Sequence, residues 1–168
     1  VIVKHSEHCS LFSKKIDELV KKTSLPENVF NFVYGDGEIG KLLVQQDIDM
    51  ICFTGSTKTG QYLYKVAAEK FIPILFELGG SAAGIVFEDV NVDDIIESVY
   101  LNKFLNCGQV CDGLKRLIVQ EKVYDEVVTK LENICKSKKV GDALDNQTDI
   151  GPLVCNSQFE KLINQFED

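Results

Sequence analysis

Residues 50–80, MICFTGSTKTGQYLYKVAAEKFIPILFELGG, decide the fold. Met50 to Thr54 is a compact apolar run of strand length, ended by the loop Gly55-Ser56-Thr57-Lys58-Thr59-Gly60. A helix opens in that loop and is predicted to reach about Lys70, with Tyr62, Leu63, Val66 and Ala67 on one face. Pro73 leads a second strand, Ile74 to Glu77, and Gly79-Gly80 closes it. Strand, helix and strand in that order form a βαβ unit, which makes the two strands parallel.

The alternation continues on both sides. Upstream, Val1 to Lys4 reads as the end of a buried strand, and Ser6 as the N-cap of a helix to about Thr23. Phe12, Ile16, Leu19 and Val20 stand at helical spacing within it, and Pro26 and Asn28 break it. Val29 to Tyr34 is predicted as a strand, and Gly35-Asp36-Gly37-Glu38-Ile39-Gly40 opens a short helix to about Gln46. Downstream, Gly84 to Phe87 reads as a strand and Val92 to Asn106 as a helix with Ile95, Ile96 and Val99 inward. A short strand at Leu117–Val119 precedes a helix from about Val123 to Ser137. A polar loop, Asp142 to Pro152, then leads to a last helix starting near Ser157. The expected class is α/β, with parallel sheets and helices on both faces.

Bulk properties narrow the function. The 168 residues are 45% hydrophobic and 26% charged, an ordinary globular balance. A formal charge of −8 argues against nucleic acid or an anionic membrane as the main partner. Lys136, Lys138 and Lys139 read as the solvated end of a helix. The longest apolar runs are of strand length, too short to span a bilayer. Six cysteines, at 9, 52, 107, 111, 135 and 155, show no paired spacing that suggests a disulfide frame or zinc site. No metal is expected, and free thiols suggest a reducing compartment, with the cytoplasm as default. The chain begins at Val1 and its only methionine is Met50, so it reads as part of something longer.

One stretch carries chemistry. In Leu105-Asn106-Cys107-Gly108-Gln109-Val110-Cys111 a glycine and an amide lead into Cys111, at the end of the predicted helix. Glu77, upstream, ends an apolar run in Phe76-Glu77-Leu78-Gly79-Gly80. A thiol nucleophile and a separate carboxylate base, both beside glycine turns, suit acyl chemistry. Two glycine loops, Gly35–Gly40 and Gly55–Gly60, each follow a strand and open a helix, so either could present backbone N–H groups to a phosphate. The first fits G-x-G-x-x-G by letter but lacks the acidic residue expected about 20 positions on. The second adds the hydroxyls of Ser56 and Thr57 and is preferred.

Together these residues resemble the aldehyde dehydrogenase superfamily. Val3-Lys4-His5-Ser6-Glu7 looks like the motif whose lysine and glutamate reach the adenosine ribose. Phe53-Thr54-Gly55-Ser56-Thr57 to Gly60 looks like the loop that seats the cofactor pyrophosphate. Glu77-Leu78-Gly79-Gly80 looks like the general-base motif, and Gly108-Gln109-Val110-Cys111 like the nucleophile motif. Lys115-Arg116-Leu117-Ile118-Val119 and Ile150-Gly151-Pro152-Leu153 look like downstream landmarks.

The resemblance implies oxidation of an aldehyde to an acid. Cys111, as thiolate, attacks the carbonyl, hydride passes to a nicotinamide, and Glu77 activates the water that hydrolyses the thioester. It implies cofactor contacts at Lys4, Glu7, Thr54, Gly55, Ser56, Gly60 and Leu78. NAD is favoured because Glu7 would accept from a ribose diol and repel a 2′-phosphate, with NADP also open. Residues 1–77 would be the second half of a Rossmann-like NAD(P)-binding domain, and 78–168 the first part of the catalytic domain.

The subgroup resemblance is closest to succinate-semialdehyde dehydrogenases, from Val3-Lys4-His5-Ser6, Gly80-Ser81 and Gln109-Val110-Cys111 followed by Lys115-Arg116. The expected partners are a small aldehyde and, for a full-length parent, further copies of itself. The family's oxyanion asparagine and its nicotinamide-ribose clamp match nothing within 1–168. Asp112-Gly113 and Ser81-Ala82-Ala83 depart mildly from the family pattern. The competing expectation is therefore a catalytically incomplete fragment, serving as a nucleotide-binding or interaction module.

Overall fold

Along most of the parallel strands inward residues alternate with exposed ones, and several helices start at a side chain that caps them. The computed structural model describes residues 1–167. Strand β1, Ile2–Lys4, pairs with β2, Asn31–Val33, across helix α1, Ser10–Val20. Helix α2, Gly37–Gln45, follows, then β3, Ile51–Thr54, helix α3, Thr57–Lys70, and β4, Ile74–Glu77. Strands β3 and β4 are parallel, in register from Ile51 opposite Ile74 to Thr54 opposite Glu77. Strand β5, Ala83–Val86, pairs in parallel with β6, Arg116–Val119, across helix α4, Val92–Phe104. Helix α5, Glu121–Ser137, and helix α6, Asn156–Glu167, complete the order. The expected α/β class with parallel strands is what the chain adopts.

Local chemistry sets the helix starts. Asp36 accepts the Glu38 N–H at 2.9 Å, Ser56 the Thr59 N–H at 3.2 Å, and Asn91 the Asp93 N–H at 3.3 Å. Each satisfies a donor that the first turn leaves without a partner. At the far end of α3, Phe71 takes the left-handed conformation, φ 55, and its ring is almost wholly exposed. Lys70 closes α2 instead, its ammonium donating to the Gln45 and Gln46 carbonyls at 3.0 and 2.7 Å. A cation on the last carbonyls of a helix also suits the helix dipole.

The chain forms two compact units, Val1–Leu78 and Gly79–Asp168. In the first, Val44, Ile51, Leu63, Val66 and Ala67 are buried, with Phe53, Ile74 and Phe76 packed on them. Along β3 and β4 these residues alternate with exposed Cys52, Thr54, Leu75 and Glu77, so the strand period places Glu77 on the open face. In the second, Val86, Val92, Ile96 and Val127 form the core.

Several local expectations are corrected. Helix α1 stops at Val20, and Phe12 and Leu19 lie outside, 64% and 49% exposed. Its inward face runs through Ser13, Ile16 and Val20, with the buried Ser13 hydroxyl donating to the Cys9 carbonyl at 2.9 Å. The strand expected over 29–34 shortens to Asn31–Val33, and Tyr62 is 38% exposed. Of the lysines at the end of α5, Lys136 and Lys139 are exposed as expected, and all three also make contacts: Lys136, in the last turn, pairs with Glu132, Lys138 lies over the Tyr100 ring, and Lys139 pairs with Asp145. Helix α4 ends at Phe104, short of Asn106, which changes how Cys111 is presented.

Candidate active site

In the first unit, the sequence-predicted residues gather at the carboxyl ends of β3 and β4. Thr54 and Glu77 are register partners, and the Gly55 N–H donates to the Glu77 carbonyl at 3.0 Å. Helix α3 begins two residues later, so its N-terminus lies beside the strand ends. Ser56 Oγ satisfies the Thr59 amide and donates to Thr59 Oγ1 at 3.0 Å. The Thr57 and Lys58 amides in the first turn gain no intrahelical acceptor. Free amides, a helix dipole and the Lys58 side chain together suit an anion.

Gly55 and Gly60 are glycine for reasons of packing. A Cβ on Gly55 would come within 2.5 Å of the Phe53 ring, and one on Gly60 within 3.0 Å of the Leu78 side chain. Leu78 thus seats against α3 because Gly60 leaves it room. The sequence names both residues but not this contact.

Lys4 and Glu7 also come together. Lys4 Nζ lies 3.6 Å from Glu7 Oε2 and donates to the His5 carbonyl at 3.0 Å, while its stem passes Gly40. Glu7 stays about half exposed, with carboxylate lone pairs left for hydroxyl donors. A diol fits that pair. Next to it, His5 stacks on Phe32 with ring centroids 5.5 Å apart.

In the second unit, Cys111 is exposed on a loop rather than at a helix end. Asn106 and Cys107 are left-handed, φ 51 and 58, and Gly108 continues at φ 77. Three successive residues of that hand reverse the chain after α4. The Gly113 N–H donates to the Val110 carbonyl at 3.2 Å and the Leu114 N–H to the Asn102 carbonyl at 3.0 Å, closing the loop onto α4. Lys115 Nζ donates to the Gly113 and Val110 carbonyls at 2.9 and 3.1 Å, and more loosely to that of Cys111 at 3.5 Å. Gln109 reaches forward to Val154. Neither role of Lys115 nor of Gln109 has a sequence signal beyond residue type. Glu77 belongs to the first unit and Cys111 to the second. Among the described residues, no group of three His, Cys, Asp or Glu side chains could hold a metal ion. None of their helices is long and apolar enough to cross a membrane.

The aldehyde dehydrogenase family model matches residues 1–168. The chain belongs to the aldehyde dehydrogenase family. It is 37% identical over 170 residues to 2-hydroxymuconic semialdehyde dehydrogenase of Pseudomonas sp. strain CF600, covering 99% of this chain and 35% of that protein. It superposes on aldehyde dehydrogenase from Bacillus cereus in its NAD+ complex with a TM-score of 0.95 and 34% identity, covering 99% of this chain and 34% of that one. An NADP-dependent enzyme of E. coli matches with a TM-score of 0.94 and 34% identity, over 99% of this chain and 35% of that one. The chain therefore spans about a third of the length of these relatives.

Proposed function

We propose that this chain carries the nucleophile and general base of an NAD(P)-dependent aldehyde dehydrogenase. The observation that carries the reading is the loop at Cys111, where an exposed thiol stands beyond a left-handed turn in a family-matched chain. Residues 1–77 would serve as part of the NAD(P)-binding domain and 78–168 as the opening of the catalytic domain.

NAD fits the donor set of the first unit. The α3 N-terminus with Thr54, Gly55, Ser56 and Gly60 would hold the pyrophosphate, Lys4 and Glu7 the adenosine ribose, and Leu78 would line the site. Glu7 favours a ribose diol over a 2′-phosphate, so NAD comes before NADP, although Lys4 suits either. When bound, the nicotinamide supplies a hydride acceptor. Cys111 attacks the aldehyde carbon as thiolate, giving a thiohemiacetal whose oxyanion its own backbone N–H would stabilise. Glu77 removes a proton from the water that later releases the acyl group from Cys111 as the acid.

Semialdehydes are the preferred substrate class, succinate semialdehyde first, on the strength of Gly80-Ser81 and the Lys115-Arg116 pair after Cys111. Six cysteines with no paired spacing in the sequence favour a reducing compartment such as the cytoplasm. A parent enzyme would assemble with copies of itself. The competing reading is a nucleotide-binding or interaction module without turnover, and it draws on the one-third coverage of the relatives.

The test follows NAD(P)H formation by absorbance with succinate semialdehyde and short aliphatic aldehydes. Wild-type turnover should fall by about 10³-fold or more in Cys111→Ala, the loss expected when a covalent nucleophile goes. No turnover in the wild type, together with a Cys111 thiol that reacts no faster than Cys135, would sink the catalytic reading in favour of the module.

A further inference from the structure

The turn that presents Cys111 is energetically unfavourable by itself. Asn106 and Cys107 are consecutive non-glycine residues in the left-handed region, and such residues persist only where their surroundings fix them. One side chain bonds on both sides of this turn. Gln109 Nε2 donates to the Asn106 carbonyl at 3.2 Å, the same oxygen that accepts the Gln109 backbone N–H at 3.1 Å. Gln109 Oε1 accepts the Val154 backbone N–H at 2.9 Å, a bond between residues 45 apart. The partners dictate the orientation of the carboxamide: Asn106 offers only an acceptor and Val154 only a donor. In the same region, the Cys107 sulfur lies close to Gly151.

We infer that Gln109 is a positioning residue whose carboxamide ties the left-handed turn before Cys111 to the segment after Pro152, and so sets how the Cys111 thiol is presented. That Cys111 is the nucleophile rests on the function proposed above; the tie itself does not. The position requires one donor and one acceptor on the same planar group. A carboxylate has no donor and would set its charge against the Asn106 carbonyl, and alanine supplies neither partner. A protonated carboxyl restores one of each.

Two readouts on the intact chain test this, neither needing turnover. The first is hydrogen-exchange protection of the Val154 amide by NMR. The second is the alkylation rate of Cys111 by iodoacetamide at fixed pH, read by peptide mass spectrometry with Cys135 as internal reference. In Q109A both should change by roughly fivefold, the factor carried by one hydrogen bond, while Cys135 and the urea midpoint hold. Q109E keeps an acceptor for the Val154 N–H but offers the Asn106 carbonyl only negative charge, so at neutral pH it should hold Val154 protection while the Cys111 rate changes as in Q109A. Loss of packing alone would spare Q109E, whose side chain fills the same space as glutamine. Unchanged Val154 protection in Q109A would overturn the tie, and lost protection with an unchanged Cys111 rate would overturn the positioning role. A chain without turnover that still shows both responses would count against the catalytic reading while sustaining the tie.

Discussion

Lys115 shows how one cation can organise a loop. Its ammonium meets the carbonyls of Gly113 and Val110 closely and that of Cys111 loosely. Those oxygens converge because the chain turns tightly between Cys111 and Leu114, and a concentrated positive charge answers all three. Lys115→Met keeps the stem and removes the donors. Exchange of the Gly113 amide, which bonds across this turn, should then quicken by roughly fivefold, and global stability should fall by no more than about 1 kcal/mol. Lys115→Arg should recover only part of the protection, because a planar fork cannot aim its donors as a rotating ammonium does. Exchange measured by NMR in both variants decides the matter, and equal Gly113 protection in wild type and Lys115→Met would refute the role.

At the scale of elements, the loop from Lys139 to Ile150 is held by charge at its base. Lys139 Nζ lies 2.8 Å from Asp145 Oδ2, the Lys139 N–H donates to Asp149, and Val140 bridges Ile150. The Lys139 side-chain bond, then the Gln147 N–H, hold the Asp145 carboxyl below its ordinary range. A lowered folded-state pKa means that the unfolded loop binds the proton more readily. The stabilisation is therefore complete above the ordinary aspartate value of about 3.9 and is lost as pH falls through the lowered one. Protection of the Gly141 amide, which bonds to Ile150, should decline in that acid window, and Asp145→Asn should already show the low value at neutral pH.

The same scale separates what the sequence disclosed from what it did not. Strand β4 and the carboxyl end of α3 lie where their local signals put them, because Pro73, Gly79-Gly80 and a run of helix formers act within a few residues. The left-handed turn at Asn106 was hidden, since Leu101 to Leu105 continue a helical pattern and nothing local marks its end. The outward position of Phe12 and Leu19 was hidden too, because burial depends on which neighbour a face meets. At the site, motif residue types were legible. The bonds of Gln109 and Lys115 were not: one reaches Val154 across 45 residues, and the other answers carbonyls that any residue supplies.

For the whole molecule, each unit holds a separate core, and the candidate chemistry sits at the margins of both. Leu63 and Val66 anchor the first, at 6% exposure each, and Val127 anchors the second with none. Leu63→Ala removes a side chain on which α3 seats against β3 and β4, and it should cost about 2–5 kcal/mol. Val127→Ala removes two methyl groups from the contact of α5 with α4 and β5, at a cost of roughly 2 kcal/mol. The cores share no residue, so the damage should stay local. Peptide-resolved hydrogen exchange should show faster exchange for Leu63→Ala across residues 51–76, which include the α3 N-terminus and Glu77's strand. Residues 83–134 should keep their wild-type rates, and Val127→Ala should give the reverse. Equal loss in both regions from either substitution would mean that the chain unfolds as one cooperative body, and that loosening β3 and β4 also loosens the Cys111 loop.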